Sequence, residues 1–137
     1  MITVQGICAE DAPAWWPVVS EWCNQALSKG CWTLDLEDVR EAVAGRAMQL
    51  WIIHDFGKLT AVCVTEIRVW PKVKVLTAII VAGHDMPKWV AALDDVLTRY
   101  GREQGCKVLD AHGRKGWTKT LKTLGWKDIM TTYAKRL

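Results

Sequence analysis

Leu76-Thr-Ala-Ile-Ile-Val-Ala82 decides the fold, because a short, uncharged run rich in β-branched residues is typical of a buried strand. Gly83-His-Asp-Met-Pro87 interrupts this run, with a proline suited to the first turn of a helix. Apolar residues then recur at helical spacing from Trp89, and Gly101 or Gly105 can end the helix. The stretch predicts a central strand, a tight turn whose N–H groups can face an anion, and an amphipathic helix.

The chain before this stretch predicts one strand, two helices and a hairpin. Pro17 would break a helix already under way, so the first helix is expected to begin there. Asp35 can cap the second helix, and Asp55-Phe-Gly-Lys58 is typical of a tight hairpin turn. The predicted elements are a strand at Ile2–Cys8, helices at Pro17–Lys29 and Thr33–Arg46, and strands at Met48–His54 and Leu59–Trp70. A turn at Pro71–Lys74 then leads into the central strand and completes an antiparallel meander.

The chain after the central helix predicts a strand, a short helix and a last strand. Lys107–Ala111 follows a strand and a helix, so a right-handed crossover would place it parallel to the central strand. Arg114–Leu124 reads as the helix and Trp126–Leu137 as the last strand. The fold class is therefore α/β (α+β), with a mixed sheet in one domain spanning residues 1–137.

Composition places the chain among ordinary globular domains, apart from its nine tryptophans. A net charge of +3 allows an acidic partner but is too small to indicate nucleic-acid binding. The five cysteines show no metal-ligand spacing, which favours reduced thiols and a cytoplasmic protein, and no metal is expected. Neither a signal sequence nor a membrane-spanning run is visible.

The element order, with the closing pattern Lys119-Thr-Leu-Lys-Thr-Leu-Gly-Trp126, resembles the GNAT acetyltransferase superfamily over nearly the whole chain. The chain is also similar to small GNAT-like bacteriophage proteins, in which Gly113-Arg-Lys-Gly-Trp117 has counterparts. The resemblance implies a GNAT-like fold, with a sheet that splits beside the central strand. It leaves the function to be argued from the site.

The resemblance implies acetyl-CoA as the one possible cofactor, with its pyrophosphate on the loop after the central strand. Asp85 stands where that family has arginine or glutamine, and Lys88 and Val90 stand at its two glycine positions. The phosphate signature is therefore missing, although Gly83 and the charge of Lys88 favour a phosphate. The candidate cofactor contacts are Val81, Gly83, His84, Lys88 and Arg114.

Catalytic candidates are few. The place of the family's general-acid tyrosine falls on Leu121, which cannot transfer a proton. Glu66 is a candidate carboxylate base or a charge on a solvent face. Asp110 and His112 are two residues apart and form either a pair at the cleft or a local hydrogen bond. The pair His84-Asp85 reads as a surface loop more than as a proton shuttle.

Two surfaces are candidates for a partner. Trp70 lies among cations in the hairpin Arg68–Lys74, and with Trp15 and Trp16 it forms a candidate protein-docking surface. Gly113–Trp117, with nearby lysines, forms a basic patch. That patch is a solvated face, a contact for the CoA 3′-phosphate, an acidic-protein site or a nucleic-acid site. Nucleic acid is not expected, because Trp117 falls on the apolar face of its helix.

Two functions remain. The first is a GNAT-fold binding or virion-assembly protein, phage-encoded, without ordinary acetyl-CoA catalysis, in the host cytoplasm or the virion. The second is an atypical acetyl-CoA-dependent N-acetyltransferase that uses the cleft beside the central strand. The missing phosphate signature favours the first. The sequence leaves the substrate amine, the partner and the oligomeric state open.

Overall fold

One mixed sheet organises the chain in the computed structural model. The structure describes residues 1–137 apart from the side chain of Lys115, so that lysine's part in the predicted basic patch lies outside the description. The strands are β1 (Ile2–Ile7), β2 (Met48–Asp55), β3 (Lys58–Val69), β4 (Lys74–Gly83) and β5 (Val108–Ala111). The α-helices are α1 (Ala12–Ser28), α2 (Leu36–Ala44), α3 (Met86–Glu103) and α4 (Thr118–Lys122), with a 3₁₀ turn at Lys115–Trp117.

The strands lie in the order β1-β2-β3-β4-β5. The first four pair antiparallel, and β5 pairs parallel to β4, so the predicted meander and crossover are confirmed. Phe56 and Gly57 form the first hairpin turn with positive φ angles of 50° and 80°, as a tight hairpin requires. Asp35 caps α2, since its side chain accepts from the Asp38 N–H and the Asp38 side chain accepts from the Asp35 N–H.

Two hydrophobic cores lie on opposite faces of the sheet. The first, beneath α1 and α2, includes Trp16, Val39 and Ile80. The second, beneath α3, includes Trp51, Leu76 and Trp89. The sheet is therefore covered on both faces, which explains the continuous apolar runs in β2 and β4.

A β-bulge at Ile79 determines how β4 ends. In the β3–β4 register, Thr65 pairs with Ala78 and Val64 pairs with Ile80, so Ile79 is the extra residue. Ile79 and Ile80 both pack against the core under α1 and α2, whereas Val81 packs against the core under α3. The bulge thus reverses the alternation of β4 and directs Val81 to the α3 side.

The expected start of the first helix at Pro17 is wrong, because α1 begins at Ala12 and contains Pro17. A stripe at helical spacing runs through the proline and is buried in the first core; its members are Ala12, Trp16, Val19, Cys23 and Leu27. Burial of this stripe outweighs the backbone hydrogen bond lost at Pro17.

The expected last strand at 126–137 is also wrong, since over the described residues this segment, here called the tail, forms no strand. Its large apolar residues Ile129, Met130, Tyr133 and Leu137 are all exposed and join neither core, so burial does not hold this segment against the sheet. The tail instead ends with the Arg136 guanidinium 4.5 Å from the centre of the Trp32 ring. The helix expected at Arg114–Leu124 is shorter, because Gly113 and Gly116 weaken its start.

The five cysteines are all free, and Cys23, Cys63 and Cys106 are buried. Burial raises the pKa of the Cys23 thiol to about 12. Burial, with a smaller contribution from Cys23, also raises the pKa of the Cys63 thiol far above its usual range. These two thiols stay protonated at neutral pH and serve as small apolar groups. In the described part of the chain, no helix is long and apolar enough to cross a bilayer, and no cluster of three metal-ligating side chains occurs.

Candidate ligand cleft beside the fourth strand

The pairing of β4 with β5 covers only the first half of β4. The last register pair is Ala78 with Ala111, and the His112 N–H donates to the Ala78 carbonyl at 3.2 Å. Beyond the bulge, residues 79–83 of β4 have no strand partner on the β5 side in the described sheet. The sheet therefore splits at this point, as the resemblance implies, and the split is the candidate cleft.

An apolar cavity occupies the α3 side of this cleft. β4, α3, α4 and the tail contribute its wall, and Asp94 is its one acidic member among the described side chains. The lining residues are Ala78, Val81, Met86, Val90, Leu93, Asp94, Leu97, Ala111, Trp117, Leu121 and Trp126.

Two tryptophans from the C-terminal part of the chain help to close the cavity. The Trp126 indole N–H donates to Asp94 Oδ1 at 2.8 Å and so attaches the tail to α3. The Trp117 ring packs against Gly113, where an added Cβ would lie 2.4 Å from the ring. Glycine at 113 is therefore needed for packing, and the cleft contains the chain's own indoles.

The loop between β4 and α3 has only two residues, His84 and Asp85. The His84 N–H donates to the Thr60 carbonyl at 3.3 Å, and the Lys88 N–H donates to the Asp85 carbonyl at 2.8 Å. Pro87 has no N–H, so within residues 84–88 only Asp85 and Met86 keep free N–H groups. Two donors beside the Asp85 carboxylate do not make a cradle for a pyrophosphate.

Gly83 is explained by the neighbouring strand. It pairs with Ala61, and an added Cβ would lie 2.5 Å from the Ala61 Cβ and 2.6 Å from the Thr60 carbonyl oxygen. In the sequence, Gly83 favoured a phosphate site. The structure shows instead that the close approach of β3 requires glycine at this position.

His84 takes part in packing through both its backbone and its ring. Its carbonyl accepts from the buried Trp89 indole N–H at 2.6 Å, and its ring meets Trp22 of α1 edge-on at 5.7 Å between centres. Asp85, with φ of 56° and ψ of 47°, has a left-handed backbone conformation at the start of α3. These contacts fix the loop without using a ligand.

The other candidate cofactor contacts lie around the cleft. Val81 lines the apolar cavity. Lys88, in the first turn of α3, and Arg114, after β5, are exposed. Neither of these two cations lines the cavity, and in the described structure no set of backbone donors connects them with Val81.

Two of the three catalytic candidates share one row of the sheet. Glu66 pairs with Thr77 across β3 and β4, and Thr77 pairs with Asp110 across β4 and β5. Leu76 and Ala78 on either side of Thr77 belong to the α3-side core, so the row faces α1 and α2. It therefore lies on the face opposite to the apolar cavity.

The polar groups of this row differ in their partners. Arg68 Nε donates to Glu66 Oε1 at 2.9 Å in a half-buried ion pair. Thr77 Oγ1 and Asp110 Oδ1 are buried, and among the described residues neither has a hydrogen-bond partner. His112 lies just beyond β5 and is exposed, with no side-chain hydrogen bond to Asp110 in the described structure. The three candidates thus do not form one catalytic group.

The candidate docking tryptophans separate into three environments. Trp70 is 56% exposed in the β3–β4 turn, as expected. Trp15 is half-buried, with its ring centre 6.1 Å from that of His54. Trp16 is only 4% exposed, so its assignment to a docking surface is wrong. The early start of α1 places Trp16 on the buried stripe with Val19.

The contact that the sequence did not reveal is Trp126 with Asp94, 32 positions apart. Asp94 reads as a polar-face residue of an amphipathic helix, and no local pattern indicates its partner. For the second indole of the cleft, the sequence did offer a signal, because Trp117 falls on the apolar face of its helix.

No protein-family model matches the sequence, and no curated protein matches it. The structure is similar to a ribosomal-protein-alanine N-acetyltransferase from Brucella melitensis, with a TM-score of 0.72 at 16% identity over 100% of this chain and 99% of that chain. A GCN5-related N-acetyltransferase from Ralstonia eutropha gives a TM-score of 0.74 at 13% identity over 100% of this chain and 99% of that one.

The chain has the GNAT fold. A predicted acetyltransferase with acetyl-CoA from Clostridium acetobutylicum is also similar, with a TM-score of 0.70 at 11% identity over 99% of this chain and 96% of that one. Identities this low show the fold and nothing about activity.

We expect Gly83→Ala to destabilise the protein by about 1–3 kcal/mol, because the new Cβ overlaps Ala61 and the Thr60 carbonyl. Gly116→Ala is the matched control, since no atom lies within 4 Å of a Cβ added there. Urea unfolding monitored by circular dichroism measures both. Equal stability of the two variants would contradict the close-approach explanation.

We expect Asp94→Ala to cost about 1–2 kcal/mol, because it removes a charged acceptor from the half-buried Trp126 indole. Asp95→Ala removes only the exposed partner of Arg99 on the same helix and is expected to cost well under about 1 kcal/mol. A double-mutant cycle of Asp94→Ala with Trp126→Phe should show a coupling energy between the two sites. Additive effects would mean that the hydrogen bond does not hold the tail.

Proposed function

We propose that this chain is a non-catalytic GNAT-fold binding protein, phage-encoded, that works in the assembly of a larger structure and does not use acetyl-CoA. The observation that carries the proposal is the closure of the cleft by Trp117 and Trp126, with Trp126 hydrogen-bonded to Asp94. A cleft that contains two of the chain's own indoles leaves little room beside the open half of β4.

The loop supports the same proposal, because it does not fit the cofactor that the fold implies. A pyrophosphate needs converging N–H donors without a nearby carboxylate, and the loop offers two donors beside Asp85. The close contact with Ala61 explains why residue 83 is glycine, so this glycine is not evidence for a bound phosphate.

The acid–base groups add a third support. Leu121, at the place of the expected tyrosine, lines the apolar cavity and has no proton to transfer. Glu66 and Asp110 face the opposite side of the sheet, and Glu66 is paired with Arg68. Among the described side chains that line the cavity, the only titratable group is Asp94, which accepts from the Trp126 indole.

In a binding protein, the candidate docking tryptophans would contact the partner. Trp70 is the exposed aromatic side chain of the β3–β4 turn, and Trp15 is half-buried beside His54. The likeness to bacteriophage proteins rests on the Gly113–Trp117 pattern, and we propose on this basis that the protein works in the cytoplasm of a bacterial host or in the virion. We expect Trp70→Ala to weaken binding of the protein partner, with the fold intact.

A second candidate function is an atypical N-acetyltransferase, favoured by the split sheet. Beyond the bulge at Ile79, the second half of β4 has an unpaired edge that an extended ligand could contact. The similar protein from Clostridium acetobutylicum carries acetyl-CoA. In that function Glu66, Asp110 or His112 would hold the acceptor's proton, and Lys88 and Arg114 would contact the anionic cofactor. It requires the indoles at 117 and 126 to leave the cleft first.

Titration calorimetry with acetyl-CoA, and with desulfo-CoA alongside, separates the two functions. We expect no heat and no thermal stabilisation at millimolar ligand, because a ligand that binds the native state must stabilise it. Lys88→Ala and Arg114→Ala are the control variants, and neither should change the heat of titration or the thermal stability in the presence of the ligand. Micromolar binding that either substitution weakens would overturn the proposal and favour the enzyme.

A further inference from the structure

We propose that α4 and the tail dock an acidic, amphipathic segment of a partner protein. The basic face consists of Arg114, Lys119, Lys122 and Lys127. This inference rests on the proposed binding function and names the chemistry of the partner.

The basic face carries charge that the rest of the fold does not neutralise. From His112 to Lys127 the sequence has five cations and no carboxylate. Within the described side chains, each of the four residues of the basic face is exposed, and none lies within 4.0 Å of a carboxylate.

Four arginines elsewhere in the fold have carboxylate partners, whereas the basic face has no carboxylate within its stretch of sequence. Arg40, Arg46, Arg68 and Arg99 each form an ion pair with a carboxylate. Asp128, the first acid after the basic face, receives a hydrogen bond from the Thr118 hydroxyl at 3.4 Å. A surface normally intersperses its charges, so an unneutralised cluster favours an acidic partner and accelerates its approach.

The tail places apolar side chains directly after this basic face. Ile129 is 74% exposed, Met130 81% and Tyr133 90%. These residues do not join either core, and the Trp126–Asp94 hydrogen bond holds the start of the tail against α3. Side chains of this kind, next to unpaired lysines, match a partner segment that carries carboxylates on one face and apolar residues on the other.

A protein fits this face better than a nucleic acid does. The aromatic side chains within the basic face, Trp117 and Trp126, are half-buried and line the cavity, so they cannot stack on bases. The net charge of +3 is also small for a nucleic-acid-binding domain. Single-stranded nucleic acid is therefore an alternative for the test.

The test uses a fluorescent acidic peptide with a glutamate face and a leucine face, and a second peptide in which lysine replaces glutamate. Anisotropy should show binding of the acidic peptide by the full chain and none of the lysine peptide. Lys119→Glu with Lys122→Glu should weaken binding about tenfold or more, since two attractive charges become repulsive. Ile129→Ser with Met130→Ser should weaken it through the apolar contact.

The matched control is Lys58→Glu with Lys107→Glu, which changes the net charge equally at exposed positions outside the basic face. We expect this variant to bind the acidic peptide nearly as well as the native chain does. Equal weakening by both double variants would show that binding follows net charge alone and would overturn the inference. Tighter binding of a single-stranded oligonucleotide of the same charge would also overturn it.

Failure of this inference is distinguishable from failure of the proposed function. If neither the acidic peptide nor acetyl-CoA binds, the partner chemistry is wrong and the absence of acetyl-CoA binding still agrees with the proposed function. If acetyl-CoA binds and an acetyl group is transferred to an amine, the proposed function itself is wrong.

Discussion

The end of β4–β5 pairing at Ala78 is the constraint on which the rest of the structure depends. The bulge at Ile79 turns two consecutive isoleucines towards α1 and α2 and turns Val81 towards α3. Because β5 stops at Ala111, the second half of β4 is open on one side, and the chain must cover that opening or leave it to a ligand. Trp117 and Trp126 provide that cover.

The closed cleft and the β4–α3 loop lead to the same conclusion, because neither is suited to binding acetyl-CoA. A two-residue connection leaves no length for a backbone cradle, and Gly83 serves the close contact with Ala61. Because the cleft need not admit a cofactor, the side chains of Trp117 and Trp126 can fill it. The Trp126–Asp94 hydrogen bond connects the tail to α3. The same closure directs the cations of α4 outwards, where they are free to meet a partner.

Much of the fold could be predicted from the sequence, because its signals are local. The uncharged run at Leu76–Ala82, the Phe56-Gly57 turn and the Asp35 cap each specify their own element. The prediction that the first helix begins at Pro17 was wrong, because burial of a helical stripe outweighs one lost backbone hydrogen bond. The prediction of a strand in the tail was wrong because its apolar residues stay exposed and are not buried against the sheet.

The candidate site was less predictable, because its contacts are long-range. The departures at Asp85, Lys88 and Leu121 were visible in the sequence, and they already argued against ordinary catalysis. The reason for Gly83, the burial of Trp16 and the pairing of Trp126 with Asp94 depend on strands and helices meeting in space. No window of sequence contains both partners of such a contact.

The Trp126 indole N–H resonance, assigned by comparison with Trp126→Phe, gives the most direct measurement of whether the cleft is closed. Hydrogen exchange at this indole should be slow compared with that of the exposed Trp70, and its chemical shift should not move when millimolar acetyl-CoA is added. Exchange as fast as that of Trp70, or a shift that saturates with acetyl-CoA, would contradict a closed cleft and would mean that the chain admits the cofactor.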